Sequence, residues 1–399
     1  MVSSYMYGLG SRRSVIREIF EYAKVRGAEI GPENVFDFSI GNPNVPAPDC
    51  VREAIMELIS EEDSTRIHGY TSAQGDLETR RVVAGSYKKH GLEISPDCIY
   101  MTVGAAASVT ITASALYEEG DEFLTFAPYF TEYAVFVRTA GAELKVVPTT
   151  EGTFQIDPEA LRERISVHTK GIIINSPNNP SGVVYSEESL RAMCAILEEK
   201  QKEFGHPIFL ISDEPYREIV FDGKKVPCLL NYYDNTIICY SYSKALSLPG
   251  ERIGYILVSE KIDGWREIYA AVCGAGRALG YVCAPSLMQK VIAKCEGSTS
   301  DISVYERNRD LLYNALVSYG FECVHPDGAF YLFMKSPSGD AYELYERAKK
   351  YELLLVPSDD FGVKGYVRIA YCVKTETIEK ALHSFRKLME SYKEENKNK

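Results

Sequence analysis

The chain has 399 residues, 45% of them hydrophobic and 25% charged, the balance of an ordinary globular protein. That length exceeds what one hydrophobic core usually supports, so two domains are expected. A formal net charge of −12 argues against nucleic acid or an anionic membrane as the main partner, and leaves small molecules open.

Met1 to Gly10 has no basic stretch followed by an apolar one, so no signal peptide is expected. The longest apolar runs, such as Gly171-Ile172-Ile173-Ile174, are far too short to span a bilayer. The ten cysteines form no C-x-x-C pair, which points to reduced thiols and a cytoplasmic location. The six histidines are scattered, and no metal site is expected.

In chain order, Ser11–Arg26 reads as one amphipathic helix. Short β-rich runs then alternate with helical stretches. The expected strands are Cys98–Val103, Glu122–Phe126, Leu144–Val147, Gly171–Asn175, Pro207–Ser212 and Thr236–Tyr240. The helices between them include Ala105–Tyr117, Pro158–Ile165 and Glu187–Phe204. Several strands are apolar without alternation, as in a parallel sheet covered on both faces. Beyond Ser300 come a helix at Val304–Tyr319, strands at Ala329–Lys335, Leu353–Pro357 and Gly365–Cys372, and a helix at Thr375–Tyr392. The polar tail Lys393–Lys399 is expected to fray. The fold class is α/β. A large domain, 46–299, holds a mostly parallel sheet between helices. A smaller α+β domain is formed by both termini, 1–45 and 300–399.

In open α/β sheets, ligands sit beyond the carboxyl ends of the strands. Four such ends carry chemistry here. Gly104-Ala105-Ala106 opens a helix after the first strand. Ser176-Pro177-Asn178-Asn179-Pro180-Ser181-Gly182 follows the fourth. Asp213-Glu214-Pro215-Tyr216 follows the fifth. Ser241-Tyr242-Ser243-Lys244, with Gly250-Glu251-Arg252 just after, follows the sixth. Each piece alone has a plainer reading. Small residues at a helix start can be close packing, Asn-Asn-Pro-Ser-Gly a turn, and a strand-end Asp an N-cap. Together they match the needs of pyridoxal 5′-phosphate (PLP). Its aldehyde needs a lysine amine and its pyridine nitrogen an acidic partner. Its phosphate needs a helix N-terminus, hydroxyls and a cation.

The stretch Ser241-Tyr242-Ser243-Lys244-Ala245-Leu246-Ser247-Leu248-Pro249-Gly250-Glu251-Arg252-Ile253-Gly254 resembles the lysine segment of the PLP-dependent class I aminotransferases. Asn178-Asn179-Pro180-Ser181-Gly182 and Ser212-Asp213-Glu214-Pro215-Tyr216 resemble motifs of the same family, in the same order. The likeness runs from Ser39-Ile40-Gly41-Asn42-Pro43 to Val367-Arg368-Ile369.

The resemblance implies the aspartate-aminotransferase fold and transamination by two half-reactions. It implies that Lys244 holds PLP as a Schiff base and moves the α-proton, and that Asp213 pairs with the pyridine nitrogen. Tyr216 and Asn179 are implied on the cofactor's phenolic oxygen. Ser241, Arg252 and the backbone at Gly104, Ala105 and Ala106 are implied on its phosphate. Tyr70, in Gly69-Tyr70-Thr71-Ser72-Ala73-Gln74-Gly75, is similar to a tyrosine that reaches the phosphate from the other subunit of a homodimer. Arg368 is implied on the substrate α-carboxylate, helped by Gly41 and Asn179. Phe130 falls where the family stacks an aromatic ring on the cofactor, commonly Trp; Tyr129 is the rival for that place, and core packing is the plain alternative for both.

Other residues take plain readings: packing for Trp265, a solvated helix face for Arg12 and Arg13, and a surface, interface or substrate-side role for Arg277. The same motifs serve a carbon–sulfur β-lyase, an aminocyclopropane-carboxylate-type synthase, or a PLP-binding regulatory domain. A start directly on the fold's own first helix weighs against the last.

Overall fold

Seven short apolar runs form the central sheet of this computed structural model, which describes residues 2–11, 15–61 and 63–397. Across the sheet they lie in the order Ile99–Thr102, Gly254–Val258, Thr236–Ser241, Phe209–Asp213, Thr169–Asn175, Glu122–Phe126, Glu143–Val147. All run parallel except Gly254–Val258, which is antiparallel to both neighbours. That strand is absent from the elements expected above. Its apolar run follows directly on the lysine segment, with no helical stretch between to mark a new element.

Helices cover both faces of the inner strands, which is why those are mainly apolar, whereas the edge strand Glu143–Val147 is partly exposed and carries Glu143 and Lys145. Ile173, Ile211 and Ile237 pack on one side with Val109, Ile111 and Val272 of the helices Ala105–Leu116 and Trp265–Ala278. Ile172 and Leu210 pack on the other with Leu190, Met193 and Leu197 of Glu187–Phe204. Each such side chain contributes about 1.5–3 kcal/mol by leaving water. The last helix starts on the Ser186 hydroxyl, which accepts from the Ser189 N–H, and ends at left-handed Gly205.

A second, four-stranded antiparallel sheet follows the order Val356–Pro357, Tyr366–Ala370, Tyr331–Lys335, Cys323–Val324. The helices Ile302–Tyr319 and Thr375–Lys397 pack on it through Leu312, Leu316, Phe385 and Leu388. The short strand Phe36–Asp37 pairs in parallel with Leu353–Leu354 and so ties the early chain to the late one.

Two terminal readings change. The described N-terminal helices are Ser4–Ser11 and Val15–Ile30, in place of one helix at Ser11–Arg26. Arg12 and Arg13 lie outside the described residues. At the other end the helix runs on to Lys397, and Glu395 pairs with Arg347 at 2.7 Å, so the polar tail extends the helix for most of its length. Among the described residues no helix is long and apolar enough to cross a membrane, and no His/Cys/Asp/Glu group could hold a metal ion. All ten cysteines are free.

Candidate active site

The parallel strands end level with one another. Asn175 pairs with Asp213, and Asp213 with Cys239, two residues before Ser241. Their carboxyl ends open into a cavity of about 300 Å³. Its walls include Gly41, Ala105, Ala106, Phe130, Asn179, Asp213, Tyr216, Ser241, Lys244, Arg252 and Arg368. Eleven residues expected from the sequence thus meet in one place. Gly104 stands just behind them as the N-cap of Ala105–Leu116, with φ 97° and no side-chain cap. A Cβ on it would sit 2.8 Å from the Arg252 guanidinium, so glycine leaves the helix N-terminus open toward that cation.

Lys244 lies in the turn after Thr236–Ser241 and is nearly enclosed. Burial lowers its amine to about 8. Its Nζ donates to the Gly41 carbonyl at 2.7 Å. Asp213 is buried, and burial pushes its carboxyl up to about 7, against the lowering effect of a 2.5 Å hydrogen bond from the Tyr133 hydroxyl to Oδ2. Its other oxygen, Oδ1, is buried with no hydrogen-bond partner among the described residues. A buried, half-satisfied carboxylate of this kind suits a cationic N–H.

Asn175 connects two of these groups. Its side-chain N–H donates to the Asp213 carbonyl at 2.9 Å, and its Oδ1 accepts from the Asn179 N–H at 2.7 Å. The Asn179 side chain then accepts from Arg368 Nη1 at 3.0 Å, while Arg368 Nη2 donates to the Ser39 carbonyl at 2.5 Å. Arg368 is 3% exposed, and its Nε has no partner among the described residues. Beside the helix start at Gly104, Ser241 Oγ lies 2.8 Å from Ser243 Oγ, which accepts from Arg252 at 3.3 Å. Three cations and one carboxylate therefore face the cavity, a local field opposite in sign to the net charge.

Phe130 lines the cavity, whereas the Tyr129 ring packs beside Gly362. Arg277 is exposed, on the last turn of Trp265–Ala278, and Trp265 packs between two core clusters. Tyr70 is 98% exposed and does not reach the cavity of its own chain. Four participants were not singled out from the sequence, and Asn175 was read only as the last residue of its strand. Ser243 is one residue from Lys244, so its spacing was available as a signal. Tyr133 carried only the look of a helix-face aromatic, and Tyr331 only that of an apolar strand.

The description "Aminotransferase class I and II" belongs to the family profile that matches residues 33–385. An amino transferase of known structure from Eubacterium rectale superposes with a TM-score of 0.97 at 56% identity, covering 98% of this chain and 99% of that one. A probable aspartate/prephenate aminotransferase of Thermus aquaticus is 32% identical over 86% of this chain and 89% of its own. A probable aspartate aminotransferase of Methanocaldococcus jannaschii is 31% identical over 94% and 97%. The chain belongs to the aminotransferase class I and II family. It is an aminotransferase enzyme with the aspartate-aminotransferase fold.

Proposed function

We propose that this aminotransferase holds pyridoxal 5′-phosphate on Lys244 and exchanges an amino group between an L-amino acid and a 2-oxo acid. The observation that carries the reading is that the lowered amine of Lys244 and the unpartnered oxygen of Asp213 face one cavity. When bound, the cofactor supplies an aldehyde for amine exchange and a ring that takes up electron density from the substrate α-carbon. Asp213 would keep the ring nitrogen protonated. Tyr216 and Asn179 would donate to the phenolic oxygen. The helix start at Gly104, Ala105 and Ala106, with Ser241, Ser243 and Arg252, would hold the phosphate, and Phe130 would cover the ring.

Arg368 binds the α-carboxylate of the substrate through a charge-assisted pair, aided by Asn179 and the close approach of Gly41. Lys244 Nζ, freed when the donor amine takes its place, would move the proton between the substrate α-carbon and the carbon of the cofactor's aldehyde, taking it up in the neutral form that burial favours. Two further readings accompany this one. The full exposure of Tyr70 supports its reaching the phosphate of a partner subunit in a homodimer. The pairing of Phe36–Asp37 with Leu353–Leu354 supports residues 1–45 and 300–399 as one domain beside 46–299. The names of the curated relatives make aspartate the first donor to try.

The test is a half-reaction. The enzyme given an amino donor alone should release one 2-oxo acid per site and stop until a second oxo acid is added. Steady release of ammonia without an acceptor contradicts transamination and supports elimination.

A further inference from the structure

Tyr331 is outside the assignment above, yet it touches three of its members. It is buried, opens the strand Tyr331–Lys335 and lines the cavity. Its hydroxyl lies 2.9 Å from that of Tyr216. Its ring lies beneath the Arg368 guanidinium, 4.8 Å from the centroid. The register accounts for this. Tyr331 pairs with Ala370 and Phe333 with Arg368, so Tyr331 and Arg368 are diagonal neighbours on one face of the sheet. Gly41 completes the contact, because a Cβ there would collide with the Tyr331 hydroxyl. The carbonyl of that same glycine holds Lys244.

Two phenols sharing one hydrogen bond have two proton orders. If Tyr331 donates, the Tyr216 proton is free for the cavity. If Tyr216 donates, it offers the cavity only a lone pair. The more acidic phenol is the better donor. Burial raises both and the Arg368 charge lowers both, but the guanidinium lies directly over the Tyr331 ring, so Tyr331 is the phenol it makes the better donor, while burial and the neighbouring Tyr331 hold Tyr216 well above its ordinary value. The other groups facing the pair are Asp213, which raises Tyr216, and the Cys372 thiol, which raises Tyr331.

We propose that Tyr331 is a positioning residue that donates to Tyr216 and thereby turns the Tyr216 proton into the cavity, with Arg368 setting that direction through the Tyr331 ring. The inference rests on the cofactor reading given above. A carboxylate arriving on Arg368 offsets its charge and makes Tyr331 a weaker donor. Substrate binding at one end of the cavity is then felt at the Tyr216 hydroxyl.

The experiment uses the PLP-loaded enzyme and reads the pH midpoint of the bound cofactor's absorption change. A donor on the phenolic oxygen stabilises the form with fewer protons, so weakening it raises the midpoint. Tyr331→Phe keeps the ring and the packing. It should load cofactor normally and raise the midpoint by about half a pH unit to one pH unit, the scale of one neutral hydrogen bond. Tyr216→Phe should raise it at least as far, and adding Tyr331→Phe to that variant should move it little further. Saturating propionate should raise the midpoint of the wild type more than that of Tyr331→Phe. Should Tyr331→Phe fail to fold, Tyr331→Leu, which also lacks the hydroxyl, is read in the same way. A loaded variant with an unmoved midpoint, or shifts that add fully in the double variant, overturns the proposal. Failure of the cofactor reading is seen separately, as the absence of any pyridoxyl label on Lys244 after reduction.

Discussion

Lys244 Nζ donates a 2.7 Å hydrogen bond to the carbonyl of Gly41, a residue 203 positions earlier in the chain. The bond joins the turn after a central strand to the segment that leads in from the N-terminus. It also gives the buried amine an acceptor without a negative charge. A carboxylate there would favour the charged amine, whereas a carbonyl leaves burial in control.

The amine's lowered value, about 8, has a direct kinetic consequence. Only the neutral amine attacks an aldehyde. Cofactor capture by the cofactor-free protein should therefore accelerate as pH rises through about 8 and then level off, as followed by stopped-flow absorbance. A rate still climbing toward the ordinary lysine value of about 10.4 shows a solvated amine instead.

Arg368→Leu should load cofactor normally and raise KM for every amino donor by about 10-fold to 100-fold, the scale of one charge-assisted pair at roughly 1.5–3 kcal/mol. Steady-state kinetics with one acidic and one aromatic donor check this. A defect confined to the acidic donor places Arg368 at the side-chain end.

What the sequence disclosed and what it hid follow from how each group is held. Asp213, Ser241 and Lys244 sit at or just beyond strand ends and carry chemistry that packing does not explain, so a strand prediction delivers them to one edge. Gly41 and Arg368 come from the two distant ends of the chain and were placed only by resemblance. Their convergence depends on the second sheet, whose register no local pattern states. Tyr331 and Tyr133 escaped for the opposite reason. An aromatic on a buried strand or helix face satisfies the core whether or not its hydroxyl has work to do. Tyr70 is the reverse case. The single chain leaves it in solvent, and only resemblance gave it a role.

The role of Tyr70 is checked by subunit mixing. Lys244→Ala should be inactive, and Tyr70→Ala weakened in cofactor binding and turnover. In a hybrid two-fold dimer, the site that keeps Lys244 receives intact Tyr70 from its partner. After random exchange at equal amounts, about a quarter of all sites should be native, and activity should exceed that of either parent. Demonstrated exchange with activity at the parental average means that Tyr70 does not act across an interface.

The central claim is that Lys244 carries the cofactor, and reductive trapping tests it most directly. The enzyme loaded with PLP is treated with borohydride, digested and mapped by mass spectrometry. The account predicts one pyridoxyl group per chain, on the peptide containing Lys244, and none in Lys244→Ala. A label on another lysine, or no label on a chain that still transaminates, contradicts it.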